Sequence, residues 1–396
     1  MISNRQLFLR HVAQTSDSSL QFDIEKAEGI FFYSTSGKKY LDLVSGVSVS
    51  ATGHGHPKVV AAVKEQAESY MHTMVYGEFV QSPQVKYARW LVEKLPSSLD
   101  NVFFVNSGSE AIDGAMKLAK RITGRGEFVA FKNAYHGGTH GALSILGDAR
   151  GRSGYLPLLP GIHHIRFNCE SDLEQIDHQV AAVIVEPIQA EAGIIEPENG
   201  FLKRICERCK QVGALLILDE IQTGMGRTGN LFAFEHYGIV PDILCLAKSF
   251  GGGMPLGAFI SSKDKMSKLT FDPPLGHITT FGGHPVSCAA GLAAQKVVEE
   301  DGLMEHALNM EQRYRQGLMH PLISSIRGRG LFLAVVLKEG VDVKRFISLA
   351  FENQLVIDQF LFSDNSFRIA PPLIISREEV DDSIKGVLST LNLMMK

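Results

Sequence analysis

Between residues 102 and 261, short apolar runs alternate with longer amphipathic segments. VFFV (102–105), EFVAF (127–131), VAAVIVE (180–186), ALLILDE (214–220), DILCLAK (242–248) and LGAFIS (256–261) are brief and mostly rich in β-branched residues. Near-continuous apolar runs of this length read as strands covered on both faces. Between them, EAIDGAMKLAKRITG and GFLKRICERCKQVG have helical spacing, and the second stops at Gly213, a good C-cap. Strands alternating with helices predict an α/β domain with a mainly parallel sheet, over residues 46–290. The texture then changes to one long helical segment from Pro285 to about Met319. Short strands follow at LFLAVVL (331–337) and FRIAPPLII (367–375). This predicts a smaller α+β domain over 291–396, joined by residues 1–45.

Bulk properties narrow the class. The 396 residues suffice for one large domain and a smaller one. A net charge of −4 and a pI near 6.4 argue against a nucleic-acid or polybasic membrane-surface role. No apolar run reaches the length of a membrane span. The first residues, MISNRQLFLRHVAQTSDSS, lack an h-region, so a cytoplasmic protein is expected. Five cysteines, an odd number, do not make a disulfide framework. Cys206 and Cys209 form a lone C-x-x-C inside a helical pattern, which fits packing better than zinc. The histidine pairs show no H-E-x-x-H spacing, and no metal is expected.

In parallel sheets, ligands sit beyond the carboxyl ends of strands, so the residues after each run carry the chemistry. NSGSEA (106–111) follows VFFV. Ser107 and Glu110 fit a capping box, yet a strand, a Ser/Gly turn and a helix start also build an anion site. GMGRTG (224–229) matches G-x-G-x-x-G. However, two acids and Gln222 stand where a pyrophosphate would approach, and Asp242 starts the next run where a ribose acid should end it. A loop with special backbone needs is the better reading. Asp219 and Glu220 close a buried run, and an ionised carboxylate there needs a partner. Lys248 closes another. It can snorkel to solvent, or have its pKa lowered and act as a nucleophile.

One lysine, one strand-end aspartate, an anion-type helix start and glycine loops together suit pyridoxal phosphate. The sequence resembles the class III aminotransferases, close to the acetylornithine/ornithine group. NSGSEA, AYHGGT, EPIQAEAG, LDEIQTGMGRTG, PDILCLAKSFGGGMPLGA, TTFGGHP and RGRGL occur in family order, and the likeness runs from YLDLVSGVSVSATGHGHPKV (40–59) to FRIAPPL (367–373). It implies the fold type I of pyridoxal-phosphate enzymes and a homodimer with shared active sites. It also implies roles. Lys248 would be the Schiff-base lysine and proton carrier, and Asp219 would pair with the pyridine nitrogen. Gln222 would approach the ring 3-oxygen, and Ser107, Gly108 and Ser109 would hold the phosphate. Thr280 would reach the phosphate of the neighbouring subunit. Tyr135 would stack on the ring with His136 beside it, and Glu186 would lie near the cofactor. Arg368 would grip the α-carboxylate of glutamate or 2-oxoglutarate, and Glu191 would neutralise Arg368 when an ω-amine enters.

One position departs from the pattern. Where the acetylornithine/ornithine group reads HGRT, this chain reads HGGT, with Gly138 in place of the arginine that binds the donor's α-carboxylate. A glycine offers no charged fork. Arg150 or Arg152 could substitute, or the donor could be a diamine, GABA or a diamino acid held in another way. The expected activity is amino transfer from a primary ω-amine to 2-oxoglutarate. An aminomutase or decarboxylase on the same fold is the alternative, and an Arg368–Glu191 pair far from the cofactor would favour it.

Overall fold

Seven strands form the central sheet of the computed structural model, which describes residues 2–17 and 19–395. Across the sheet they run Asn101–Val105, Gly257–Ser261, Ile243–Leu246, Leu215–Asp219, Val180–Val185, Glu127–Phe131 and Ile162–Ile165. All pairings are parallel except the two made by Gly257–Ser261, which runs against both neighbours. The apolar runs predicted each of these strands but the last. IHHI is a short edge strand with half its positions polar, so it lacks the signal of a doubly covered strand.

The period of two along each strand sorts side chains onto two faces. Val183, Val185, Leu216, Leu218, Leu244 and Leu246 join one core with Phe201, Ile205 and Cys209 of helix Phe201–Val212. Ala182, Ile184, Leu215, Ile217, Ile243 and Cys245 join another with Ala111, Ala115 and Leu118 of helix Gly108–Thr123. This double covering explains why the runs lack alternation.

A further core gathers Leu41 and Leu43 from the N-terminal strands with Val335, Phe367, Val387 and Leu391. Two four-stranded sheets serve it. One pairs Ile24–Glu28, Phe31–Ser34 and Lys39–Asp42 with Leu355–Val356. The other pairs Ile323–Arg329, Phe332–Leu337, Ser363–Ile369 and Gln359–Phe360. The single long helix expected from Pro285 to Met319 is two, Pro285–Glu300 and Leu303–Gly317, broken where Gly302 takes φ +63°. The first of these spans both cores: Cys288 packs under the central sheet, and Val297 and Val298 pack in the C-terminal core. A boundary at 290–291 thus falls inside a helix. No described helix is long and apolar enough to cross a membrane.

Candidate active site

Five strands deliver the residues after them to the carboxyl end of the sheet. Asn101–Val105 leads to Ser107, Glu127–Phe131 to Tyr135 and His136, Val180–Val185 to Glu186, Leu215–Asp219 to Gln222, and Ile243–Leu246 to Lys248. There they line a cavity of about 390 Å³ together with Gly108, Ser109, Asn106 and Ile221. Its size and its few convergent polar groups suit a small cofactor.

Asp219 is buried and doubly held. Its Oδ1 accepts from the Ile221 amide at 2.9 Å, and its Oδ2 lies 2.7 Å from His136 Nδ1. Burial pulls the His136 imidazole down, but its hydrogen bond to Asp219 and the charges of Asp219 and Glu186 outweigh that and raise its pKa. The other ring nitrogen, Nε2, is buried without a partner. Glu186 accepts from the Ala190 amide at 3.1 Å through Oε1 and leaves Oε2 unpaired, and burial pushes its carboxyl up to about 8.

Lys248 does not end a strand as its run predicts. The strand stops at Leu246, and Lys248 begins a short 3₁₀ turn with φ +54°. A positive φ is costly for a non-glycine residue and concentrates at functional sites. Its ammonium donates to Gln222 Oε1 at 3.1 Å. Burial lowers its pKa to about 8, and the charge of Arg368 acts in the same direction while Glu191, Asp219 and Glu186 oppose it. Gln222 Nε2 is buried and unpartnered.

At the start of helix Gly108–Thr123, Ser107 Oγ accepts from the Glu110 amide at 3.2 Å. Glu110 does not return the bond to Ser107 as a capping box would. Its carboxylate takes the Asn106 amide at 2.7 Å instead. The first-turn amides of Gly108 and Ser109 have no intrahelical acceptor, and with the positive helix end they form an anion cradle. A Cβ on Gly108 would come within 2.8 Å of Ile221 Cδ1, so a larger residue there would push the Ile221 side chain aside.

Arg368 and Glu191 form a buried pair, with NH2 to Oε1 at 2.7 Å. Neither is among the residues that line the cavity, but the charges of both act on Lys248. Thr280 is exposed and outside the cavity of its own chain, and Arg150 and Arg152 also stand outside its walls.

Glu220 faces inward, where its carboxylate accepts from the Ala233 and Phe234 amides at 2.7 Å each and from Thr223 Oγ1 at 3.1 Å. GMGRTG is a packing loop. Gly226 and Gly229 have positive φ and pack closely against Val298 and Leu308. Asp242 is spent on the Leu216 amide and Lys265. Cys206 and Cys209 are free, buried thiols on one helix.

Sequence reasoning passed over Arg227. Its guanidinium is 1% exposed and donates to the carbonyls of Leu331 and Pro371 and to Ser45 Oγ. An arginine between two loop glycines was the available signal.

The model of the family described as aminotransferase class-III matches residues 12–391. An acetylornithine aminotransferase of Methanopyrus kandleri is 40% identical over 92% of this chain and 92% of its own. A putrescine aminotransferase of Pectobacterium atrosepticum is 40% identical over 90% of this chain and 80% of its own. The solved structure of the ornithine aminotransferase from Toxoplasma gondii superposes with a TM-score of 0.92 at 31% identity, covering 100% of this chain and 95% of the other.

Proposed function

The chain belongs to the class III aminotransferases and is a pyridoxal-phosphate-dependent transaminase, and we propose that it carries an amino group from a primary ω-amine without an α-carboxylate to 2-oxoglutarate. The observation that carries this reading is the buried Arg368–Glu191 pair, whose charges reach Lys248. An arginine neutralised by a movable acid suits a pocket that alternates between an amine end and a carboxylate.

The residues of the cavity fit the cofactor. Gln222 Nε2 and His136 Nε2 are buried polar atoms with no protein partner, as expected of groups that face a polar ligand. The cradle of Ser107, Gly108 and Ser109 would take the phosphate, Asp219 the ring nitrogen, Gln222 the 3-oxygen, and Tyr135 one ring face. When bound, the cofactor supplies an electrophilic aldehyde and an electron sink for the substrate's Cα–H bond.

The protein supplies the rest. Lys248, with its pKa lowered to about 8, is substantially neutral in mildly alkaline solution, where its Nζ can accept and return a proton. The 2.7 Å contact with His136 and the Ile221 amide fix the Asp219 carboxylate, which would meet the ring nitrogen. Glu191 holds Arg368 while an amine occupies the pocket and yields it to the acceptor's carboxylate in the second half of a ping-pong cycle.

Gly138 supports a donor without an α-carboxylate, because no charged group stands at that position. A diamine is the first choice, as in the name of the Pectobacterium relative. Acetylornithine is the second, favoured by relatives such as that of Methanopyrus. We also assign the active unit to a homodimer. Ile278 and Phe281, exposed large apolar side chains, flank the exposed Thr280, which supports a second copy covering this segment and receiving Thr280 at its phosphate site. Light scattering giving one chain's mass would reject that assignment.

A half-reaction screen tests the donor. The loaded enzyme is mixed with putrescine, other diamines, GABA, lysine, diaminobutyrate, ornithine and acetylornithine, and the cofactor absorbance is followed. Diamines should convert it fastest. Faster conversion by acetylornithine would overturn the choice.

A further inference from the structure

Arg368 faces a second acid besides Glu191. Residues Gln359–Phe360 and Ser363–Ile369 form a hairpin in which Gln359 pairs with Phe367. This register sets Asp358 beside Arg368, and the Arg368 amide donates to the Asp358 carbonyl at 3.0 Å. The side chains lie alongside too, with Arg368 Nε 3.5 Å from Asp358 Oδ1. Neither atom has a hydrogen-bond partner, and both are shielded from solvent.

The surroundings of the guanidinium leave one edge for substrate. The Phe360 ring lies against it, 4.7 Å from Cζ to the ring centre. NH2 is taken by Glu191, and NH1 is buried with no partner. Glu191 is itself tied to the hairpin, since its Oε2 accepts from the Leu361 amide at 3.1 Å. When Glu191 releases NH2, the NH1–NH2 end is the free fork. A fork binds a carboxylate through two parallel bonds only when its plane is fixed.

We propose that Asp358 is the positioning residue for Arg368, its carboxylate set by the hairpin 3.5 Å from the Nε edge so that charge attraction keeps the NH1–NH2 fork aimed at the acceptor's carboxylate after Glu191 withdraws. Asp358 would not touch substrate. Burial raises its carboxyl to about 6 against the opposing pull of Arg368, with Glu191 and Asp42 as the other charges facing it. The inference rests on the reading of Arg368 as the acceptor's anchor.

The test uses the loaded enzyme with a fixed donor and 2-oxoglutarate. Asp358→Asn keeps the shape and removes the charge, and Asp358→Ala removes both. Each should raise KM for 2-oxoglutarate about tenfold, leave KM for the donor within about twofold and leave the melting temperature near the parent's. In an Arg368→Ala background the same substitutions should add nothing. A lowered KM for 2-oxoglutarate would make Asp358 a competitor for the arginine and overturn the proposal. Unchanged values, or equal changes for donor and acceptor, would overturn it as well. The anchor reading fails separately, if Arg368→Ala alone leaves the acceptor's KM where it was.

Discussion

His136 Nδ1 lies 2.7 Å from Asp219 Oδ2, and both side chains are buried. Asp219 ends one strand, His136 follows another, and the two stand 83 positions apart. A carboxylate meant to hold a ring proton gains from a donor that fixes its second oxygen. His136→Phe should therefore lower kcat by roughly 10- to 100-fold, the worth of one charge-assisted hydrogen bond, and weaken cofactor retention on dialysis. A His136→Phe enzyme with the parent's kcat would sink the idea that this contact tunes Asp219.

Lys248 gives a pH dependence whose sign is fixed. Its pKa is lowered to about 8, from an ordinary value of 10.5, and only the neutral amine attacks an aldehyde. The rate at which cofactor-free enzyme captures pyridoxal phosphate should rise with pH and level off above about 8. Stopped-flow absorbance from pH 6 to 10 checks this. A rate still climbing tenfold per unit at pH 9.5 would mean an ordinary lysine. Lys248→Ala should show no turnover at any pH.

Adjacent glycines 137 and 138 should answer substitution in opposite ways. Gly137 has φ +130°, and a Cβ there would lie 2.0 Å from Ser109 Oγ. Gly137→Ala should thus disturb the phosphate cradle and raise the Kd for cofactor tenfold or more. Gly138 has no heavy atom within 4 Å of its ideal Cβ and no positive φ, so Gly138→Arg should fold and bind cofactor normally. It should shift kcat/KM toward ornithine and acetylornithine and away from diamines. Unchanged ratios would detach Gly138 from donor choice.

Glu220 bears on stability rather than turnover. It accepts three hydrogen bonds in a buried site. Glu220→Ala leaves those donors unsatisfied and should cost about 3 kcal/mol or more, measured by denaturant unfolding. Activity per folded molecule should stay near the parent's. A stable Glu220→Ala enzyme with lost activity would place Glu220 in the chemistry instead.

The parts of this fold legible in the sequence are those written locally. Six of seven central strands announce themselves because both faces are buried, and Asp219 and Lys248 close such runs while Gln222 follows one. The helix start at Ser107 is legible for the same reason, within five residues. The contacts that were not legible are non-local. His136 meets Asp219 through the side-by-side order of strands that no run of residues states. Asp358 meets Arg368 through the register of a hairpin whose first strand is two residues long. The break at Gly302 was marked by its glycine, but apolar residues recur on both sides and mask it. Lys248 lines the cavity, but its positive φ could not be read from its run, because a lysine has no preference for that backbone.

The open space at Gly138 has a practical side. A Cβ at Gly138 meets no heavy atom within 4 Å, one residue from a glycine where a Cβ would strike Ser109, and the Gly138 amide donates to Ser109 Oγ at 3.1 Å, a bond that every replacement but proline keeps. That makes it a natural site for saturation libraries. Replacements at this codon other than proline would sample donor preference with little expected loss of expressed protein, so substrate range could diverge in this enzyme without first acquiring compensating stability.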